Sequence, residues 1–293
     1  MKGAKSTRKL TYLIPKEHDG KTVQDYLMKE QGFSRRLLTR LKREPTHIHC
    51  NGKHIRMVDR LRQGDSLTVI LTEPAHIPPN PELVVPIIYE DQDLIVFRKP
   101  AGMPVHPSIL HYRDTLANFF SYHMQVQGIE ATFRPINRLD RDTMGLCLAA
   151  KNALAAKKLC GRLEKEYTAI VCGILPEESG EIDAPIGRED GSLLKRTVRQ
   201  DGQRSVTRYW VLERTEHYTT VKIQLLTGRT HQIRVHFFHL GFPLAGDGLY
   251  GGSTNDYRTQ ALCCNRLEFV HPVTGEVLDF RINIQEEWAA IQV

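Results

Sequence analysis

The sequence lacks any apolar run of the length that a membrane span requires. Roughly 18 to 20 consecutive apolar residues are needed to cross a bilayer, and no segment of this chain approaches that length. The basic N-terminus, MKGAKSTRKLTYLIPKEH, also has no apolar region of the kind that a secretory signal contains. We therefore expect a cytoplasmic protein that does not associate with membranes.

Paired cysteine motifs, internal repeats and low-complexity tracts are absent as well. The cysteines stand in apolar segments without a CxxC pair: Cys50, Cys147, Cys160, Cys172, Cys263 and Cys264. This pattern is typical of reduced core thiols and gives no metal or disulfide framework. The 293 residues are 41% hydrophobic and 25% charged, which predicts a globular protein with one large domain or a large and a small one.

Positive charge is concentrated in the first quarter of the chain. Residues 1–75 contain 16 Lys and Arg against 8 Asp and Glu, a net charge of +8, whereas residues 76–293 contain 24 against 26, a net charge of −2. A local positive patch attracts polyanions, and nucleic acid is the usual one.

Local patterns in this basic segment predict two helices and a hairpin. TVQDYLMKEQG is a short helix with Val23, Tyr26 and Leu27 on one face, and Ser34 caps SRRLLTRLKRE, whose Leu37, Leu38 and Leu41 form an apolar stripe. In IHCNGKHI the Asn51-Gly52 pair provides the positive φ angles of a tight turn. The unit, residues 9–73, resembles the S-four-type RNA-binding domain. The resemblance implies RNA contacts from Arg35, Arg36, Arg40 and Lys53; a basic helix that is merely solvated is the alternative.

Residues 74–86 contain five prolines and are predicted to be a linker. Strands and helices then mix over residues 87–293, which indicates an α+β domain. The predicted strands are LIVFRK at 94–99, GLCLAA at 145–150, YTAIVCG at 167–173, TVKIQLL at 220–226 and LEFVHP at 267–272. One predicted helix is capped by Asn152 and has its apolar face at Ala153, Leu154, Ala156, Leu159 and Leu163. A second begins after Gly228-Arg229, with Thr230 as its cap and Gly241 at its end.

The segment INRLDRDTMG places Asp140 between a turn and an apolar strand. Partial burial there disfavours the charged carboxylate unless a cation lies beside it. An Asp that is kept ionised by an Arg is either a structural ion pair or a nucleophile, and spacing alone does not decide between them. Two other segments have side chains suited to the same site: GRTHQIRVH has Arg229 and Arg234 at a helix start, and EKEYTAIVCG has Tyr167 at a strand start.

Together these segments resemble the RluA-type family of pseudouridine synthases. The resemblance runs through YEDQDLIVFRKPAGMPVHP, PINRLDRDTMGLCLAAKN, KEYTAIVCG, TGRTHQIRVHFFHLGFPLAGDGLYGG and HPVTGE, and covers nearly all of residues 86–293. It implies a catalytic domain built on a central mixed, mostly antiparallel sheet. It further implies an enzyme that isomerises uridines within structured RNA, flips the target base out and needs neither cofactor nor metal.

The resemblance also assigns roles position by position. Asp140 would be the nucleophile, Tyr167 would stack on the uracil and is a candidate proton acceptor, and Arg234 would pair with Asp140. Arg138 would fill the gap left by the flipped nucleotide, and Arg229 is predicted to contact RNA. Asp142 would be a structural acid of the loop.

The chain departs from the family pattern at Asn137, Met144, Arg98 and Cys263, which bears on the RNA that is selected and not on the reaction. The expected partner is RNA, with large-subunit ribosomal RNA favoured and tRNA as the other option, and the expected state is a monomer. The sequence also offers three other functions: a metal hydrolase using His231, His236 and His239, a glycosidase using Asp140 and Asp142, and an RNA chaperone or ribosome assembly factor without activity.

Overall fold

The computed structural model describes residues 6–42, 45–73, 77–108, 110–129 and 131–293. A four-stranded sheet organises the N-terminal part, with its strands in the order β1-β4-β2-β3. The strands are β1 (Ser6–Leu13), β2 (Ile48–Cys50), β3 (Lys53–His54) and β4 (Ser66–Glu73). The hairpin predicted at Asn51-Gly52 is confirmed, since these residues have φ angles of 50° and 79°. Strand β1, which the sequence did not reveal, pairs with β4 along its whole length.

Two short helical segments cover this sheet. Helix α1 (Val23–Asp25) continues directly into a π-helical turn at Tyr26–Glu30, and α2 spans Arg35–Leu41. The Ser34 Oγ accepts a hydrogen bond from the Leu37 N–H at 3.2 Å, so the predicted cap is confirmed. The apolar faces are also as predicted, because the side chains assigned to them are buried: Val23, Tyr26, Leu27, Leu37, Leu38 and Leu41.

The remainder of the chain is built on a sheet of ten strands. Eight follow the order β10-β13-β14-β9-β15-β8-β6-β5, while β16 pairs with β15 and β7 with β8. The bounds are β5 Ile87–Glu90, β6 Leu94–Lys99, β7 Arg134–Pro135, β8 Met144–Ala150, β9 Glu164–Cys172, β10 Ser179–Asp183, β13 Val206–Arg214, β14 Tyr218–Leu225, β15 Leu262–Val270 and β16 Val277–Arg281. Strands β8 and β15 run parallel. The other pairs in the described part of this sheet are antiparallel, so the predicted mixed, mostly antiparallel sheet is confirmed.

Four helices and one hairpin pack around the large sheet. The helices are α3 (Leu116–Val126), α4 (Ala153–Leu159), α5 (Gln232–His239) and α6 (Ile284–Ala289). The hairpin consists of β11 (Ile186–Arg188) and β12 (Arg196–Val198). None of the helices in the described ranges has the length and apolar character that a membrane span requires.

The cap predicted for α4 is confirmed, whereas the cap predicted for α5 is wrong. Asn152 Oδ1 accepts the N–H groups of Leu154 and Ala155 at 3.1 and 2.9 Å. Helix α4 ends at Leu159, so Leu163 lies beyond it.

At α5 the residue before the helix is His231 and not Thr230. The buried Gln232 side chain organises this turn, because its Oε1 accepts the Arg229 N–H at 3.0 Å. The His231 side chain makes no capping hydrogen bond. The Gln232 side chain, from inside the helix, stabilises the preceding turn instead. Gly241, with a φ of 86°, follows the end of the helix as predicted.

Candidate active site

Asp140 lies on the turn between β7 and β8, with its side chain about one quarter exposed. Arg234 Nη1 is 3.4 Å from Asp140 Oδ2, and His231 Nε2 is 3.9 Å from the same oxygen. Within the described part of the chain no hydrogen bond reaches Asp140 Oδ1. One carboxylate oxygen therefore lies beside two nitrogen groups, and the other has no hydrogen-bond partner among the described residues.

A buried lysine fixes this turn from beneath. Lys99, at the end of β6, is fully buried and donates to the carbonyl oxygens of Pro100, Met103 and Arg141 at 2.8, 2.7 and 2.9 Å. Arg141 directly follows Asp140, so the ammonium group ties the Asp140 turn to the loop of residues 100–103. Burial lowers the pKa of Lys99 to about 8. The sequence analysis did not identify this residue, because a lysine at a strand end usually faces solvent.

Gly145, at the start of β8, allows β8 and β15 to lie close together next to the Asp140 turn. Its φ is 107°, and a Cβ atom at this position would lie 2.3 Å from the Cys264 carbonyl oxygen on β15. Only glycine adopts such a backbone without strain. The parallel contact between β8 and β15, which holds the base of the Asp140 turn, therefore depends on the missing side chain.

Arg234 is brought to Asp140 as predicted, but its strongest partner is a different acid. Its Nε and Nη2 donate to the two carboxylate oxygens of Asp247 at 2.7 and 2.8 Å, which is a bidentate pair. The guanidinium also lies 5.0 Å from the centre of the Tyr250 ring. Burial disfavours the charge of Arg234, but the carboxylates, Asp247 foremost and then Asp140, raise its pKa.

Asp247 and Tyr250 contact Arg234 at this site, and neither was predicted from the sequence. Both lie in the quoted segment PLAGDGLYGG, where glycines make an acid look like an ordinary turn residue. Asp247 could have been found from the sequence, because Arg234 was expected to have a bidentate partner and Asp247 is an acid in a neighbouring motif. Asp247 is buried, and a buried carboxylate requires such a pair.

Tyr167 is buried on β9. Burial raises its pKa well above the ordinary value of 10, with further contributions from Cys264 and from Asp140. The phenol is therefore neutral at physiological pH. A neutral phenol can stack or donate a hydrogen bond, but it is poorly suited to accept a proton.

The residues predicted to contact RNA are exposed where their side chains are described. Arg138 is exposed two residues before Asp140, and Arg229 is exposed with its Nε 3.3 Å from the Arg204 carbonyl oxygen. Arg35 and Lys53 are exposed in the N-terminal unit. Arg36 and Arg40 belong to α2, but their side chains lie outside the described part of the chain.

Departures from the family pattern fall on structural positions. Asn137 is buried, where its Nδ2 donates to the Leu146 carbonyl oxygen at 3.0 Å and its Oδ1 accepts the Leu148 N–H at 2.8 Å. Met144 and Cys263 are buried, and Arg98 forms ion pairs with Glu286 and Glu287. These contacts stabilise the domain and do not touch the Asp140 carboxylate.

The three histidines of the metal-hydrolase alternative have three different environments. His231 lies beside Asp140, His236 is buried between Thr207 Oγ1 at 2.8 Å and the Ala184 carbonyl oxygen at 3.0 Å, and His239 is exposed. Their ring nitrogens do not converge on a common point. Arg141 donates to both oxygens of Asp142 at 2.9 and 2.8 Å, an arrangement that fits a structural acid.

Comparison with known proteins agrees with this architecture. A family model described as RNA pseudouridylate synthase matches residues 93–239, which include Asp140, Tyr167 and Arg234. The chain is 42% identical over 254 residues to YlyB of Bacillus subtilis, an uncharacterized RNA pseudouridine synthase; the match covers 83% of this chain and 84% of YlyB. It is 32% identical over 275 residues to ribosomal large subunit pseudouridine synthase D of Pasteurella multocida, with 85% and 83% covered.

Among solved structures, human RNA pseudouridylate synthase domain containing 1 is similar, with a TM-score of 0.58 and 25% identity over 71% of this chain and 86% of that one. The fold and the sequence motifs thus agree over most of the chain's length. This chain belongs to the RluA-type family of RNA pseudouridine synthases, which are isomerases.

Proposed function

We propose that this protein converts particular uridines in large-subunit ribosomal RNA into pseudouridine through the carboxylate of Asp140. The observation that supports this role is the pairing of Asp140 Oδ2 with Arg234 Nη1 at 3.4 Å, while Arg234 is itself anchored by Asp247. Several of the relatives, including the one from Pasteurella multocida, are named ribosomal large subunit pseudouridine synthase D. A tRNA target is the other outcome that the experiment below distinguishes.

The reaction breaks the bond between uracil N1 and ribose C1′, rotates the base and forms a bond from C5 to C1′. The C5 proton is lost and N1 gains a proton, so no redox partner or transferred group is required. Asp140 assists by adding to the ring, by attacking C1′ or by stabilising a glycal route. Each of these routes uses an ionised carboxylate, and Arg234 Nη1 lies 3.4 Å from Asp140 Oδ2 as its ion-pair partner.

The remaining roles follow from exposure and charge. A base in folded RNA must be flipped out, at a cost of about a few kcal/mol, and Arg138 is exposed and close enough in sequence to Asp140 to fill the vacancy. Tyr167 would stack on the flipped uracil as a neutral phenol. Residues 9–73 would bind RNA as an S-four-type domain through Arg35, Arg36, Arg40 and Lys53, with 74–86 as the linker and 87–293 as a monomeric catalytic domain.

The test is pseudouridine mapping at single-nucleotide resolution on total RNA from cells that lack the gene. The cells are complemented with the wild type, with Asp140→Asn or with Asp142→Asn, a matched control on the same turn. Sites lost on deletion should return with the wild type and with Asp142→Asn, but not with Asp140→Asn. RNA affinity should be the same for all three proteins. Restoration of every site by Asp140→Asn would refute the catalytic role of this residue.

A further inference from the structure

His231 has a left-handed backbone conformation, which residues other than glycine adopt only uncommonly. Its φ is 58°, and in the described chain only Asn51, in the hairpin turn, shares a positive φ among residues other than glycine. Strained backbone of this kind clusters at functional sites. A glycine would occupy the position without strain, so the presence of histidine points to a use for the imidazole.

The His231 ring is held by the buried Tyr250. His231 Nδ1 is 2.9 Å from Tyr250 Oη, and the same oxygen accepts the Arg196 N–H at 2.9 Å. In the described part of the chain, Nδ1 is the acceptor available to the phenol proton. The phenol therefore donates to Nδ1, and the proton of the neutral imidazole resides on Nε2.

This Nε2–H group faces Asp140. The distance from Nε2 to Asp140 Oδ2 is 3.9 Å, and Arg234 Nη1 approaches the same oxygen at 3.4 Å. Polar contacts in active sites without substrate are often long and shorten in the complex. The two donors thus converge on Oδ2, whereas Oδ1 has no hydrogen bond in the described structure.

We propose that His231 is a positioning residue, whose Nε2–H joins Arg234 in anchoring Asp140 Oδ2 so that Oδ1 is the oxygen presented to the uridine. The proposal rests on the proposed role of Asp140 in the reaction. The charged and titratable groups around the imidazole are Asp140, Arg234, Asp247, Tyr250 and Arg196. Burial is the main cause that lowers the pKa of His231, which keeps the ring a neutral donor and preserves the nucleophilicity of the carboxylate.

The experiment uses His231→Gly, which removes the ring and suits the left-handed backbone. Pseudouridine formation is measured under single-turnover conditions on total RNA from the deletion strain, at the uridines identified by mapping. The rate should fall about 100-fold, as expected for a misplaced reacting group, while RNA affinity is unchanged. Added imidazole should restore part of the rate. Added 1-methylimidazole keeps the acceptor nitrogen but has a methyl group in place of the N–H, so it should restore none.

His239→Ala is the control, since this exposed histidine lies at the far end of the same helix. It should keep the wild-type rate and not respond to imidazole. A wild-type rate for His231→Gly, or equal rescue by both imidazoles, would overturn the proposal. If His231→Gly does not fold, His231→Asn and His231→Leu replace it. Asn keeps an N–H donor and tolerates the left-handed backbone, so equal rates for this pair would also overturn the proposal.

Asp140→Asn separates this proposal from the general one. If Asp140→Asn is inactive and His231→Gly is fully active, only the role of His231 fails. If Asp140→Asn is active, the proposed function itself fails.

Discussion

Arg8 and Asp93 form a two-bond ion pair that joins β1 of the small sheet to the turn between β5 and β6 of the large one. Arg8 Nε lies 3.0 Å from Asp93 Oδ1, and Nη2 lies 2.8 Å from Oδ2. The buried Asp93 carboxylate also accepts a hydrogen bond from Asn152, the cap of α4, at 2.8 Å. One carboxylate therefore connects the four-stranded N-terminal sheet, the ten-stranded sheet and helix α4.

An apolar contact reinforces this connection. Leu154 of α4 is buried within the hydrophobic cluster of the N-terminal unit, among residues such as Leu10 and Leu27. The proline-rich segment predicted as a linker therefore joins two units that also contact each other directly.

Arg8→Ala should loosen the contact between the two sheets. The substitution leaves Asp93 without its cation, which costs about 1 to 3 kcal/mol for a desolvated polar group. We expect faster proteolysis between the two sheets and a larger radius of gyration by X-ray scattering. Lys9→Ala, at the exposed neighbouring position, is the control and should behave as the wild type. An unchanged radius and cleavage rate for Arg8→Ala would contradict the importance of this pair.

Asp247→Asn should slow catalysis without weakening RNA binding. In Asn one of the two acceptor oxygens is replaced by an NH2 donor. The guanidinium therefore loses its bidentate anchor and its position relative to Asp140. A displacement of about 1 Å at a reacting group can cost about 100-fold in rate. Single-turnover assays measure the rate, and parallel RNA-binding titrations measure the affinity. Asp256→Asn, whose carboxylate bonds Tyr218, is the control, and a wild-type rate for Asp247→Asn would exclude the anchoring role.

Gly145→Ala should destabilise the catalytic domain more than Gly161→Ala. Both glycines have positive φ angles, 107° and 73°, but a Cβ at 145 would lie 2.3 Å from the Cys264 carbonyl oxygen, whereas a Cβ at 161 would meet nothing within 4 Å. A positive φ alone costs a residue with a Cβ atom about 1 to 2 kcal/mol. The clash with the Cys264 carbonyl oxygen adds to this cost at position 145. Denaturant unfolding of the two variants measures the difference. Equal losses would show that β15 moves aside at little cost.

Acid should destabilise the fold in part through His236. Burial lowers the pKa of this side chain below its ordinary value of 6.5, so the unfolded chain binds a proton more readily than the folded one. Its contribution to stability is therefore complete above pH 6.5 and falls as the pH decreases below that value, by up to about 1.4 kcal/mol for each pH unit. His236→Gln should reduce the slope of the free energy of unfolding against pH below 6.5, while His239→Gln should leave this slope unchanged. Urea unfolding between pH 5 and 7 tests this, and identical slopes for wild type and His236→Gln would contradict it.

Local patterns in the sequence identified much of the fold. Ser34 and Asn152 were recognisable as caps, and the Asn51-Gly52 turn as a hairpin, because each depends on neighbours within a few residues. The strand of LEFVHP was found only in part: β15 begins at Leu262 instead of Leu267. The cap predicted at Thr230 was wrong, because the side chain of Gln232, which lies within α5, stabilises this turn by accepting the Arg229 N–H.

Composition and periodicity were enough to predict the basic N-terminal unit and the mixed strands and helices of residues 87–293. The family, and with it the three side chains proposed for catalysis, came from the resemblance of contiguous motifs to the RluA-type pseudouridine synthases. Tertiary structure decided which groups meet. Arg234 reaches Asp140 across 94 positions of the chain, Asp247 and Tyr250 orient Arg234 and His231, and Lys99 is buried beneath the turn. Such contacts form only when strands and helices that are distant in the chain pack together. They are therefore stabilised by interactions between segments, which no single segment's sequence reveals.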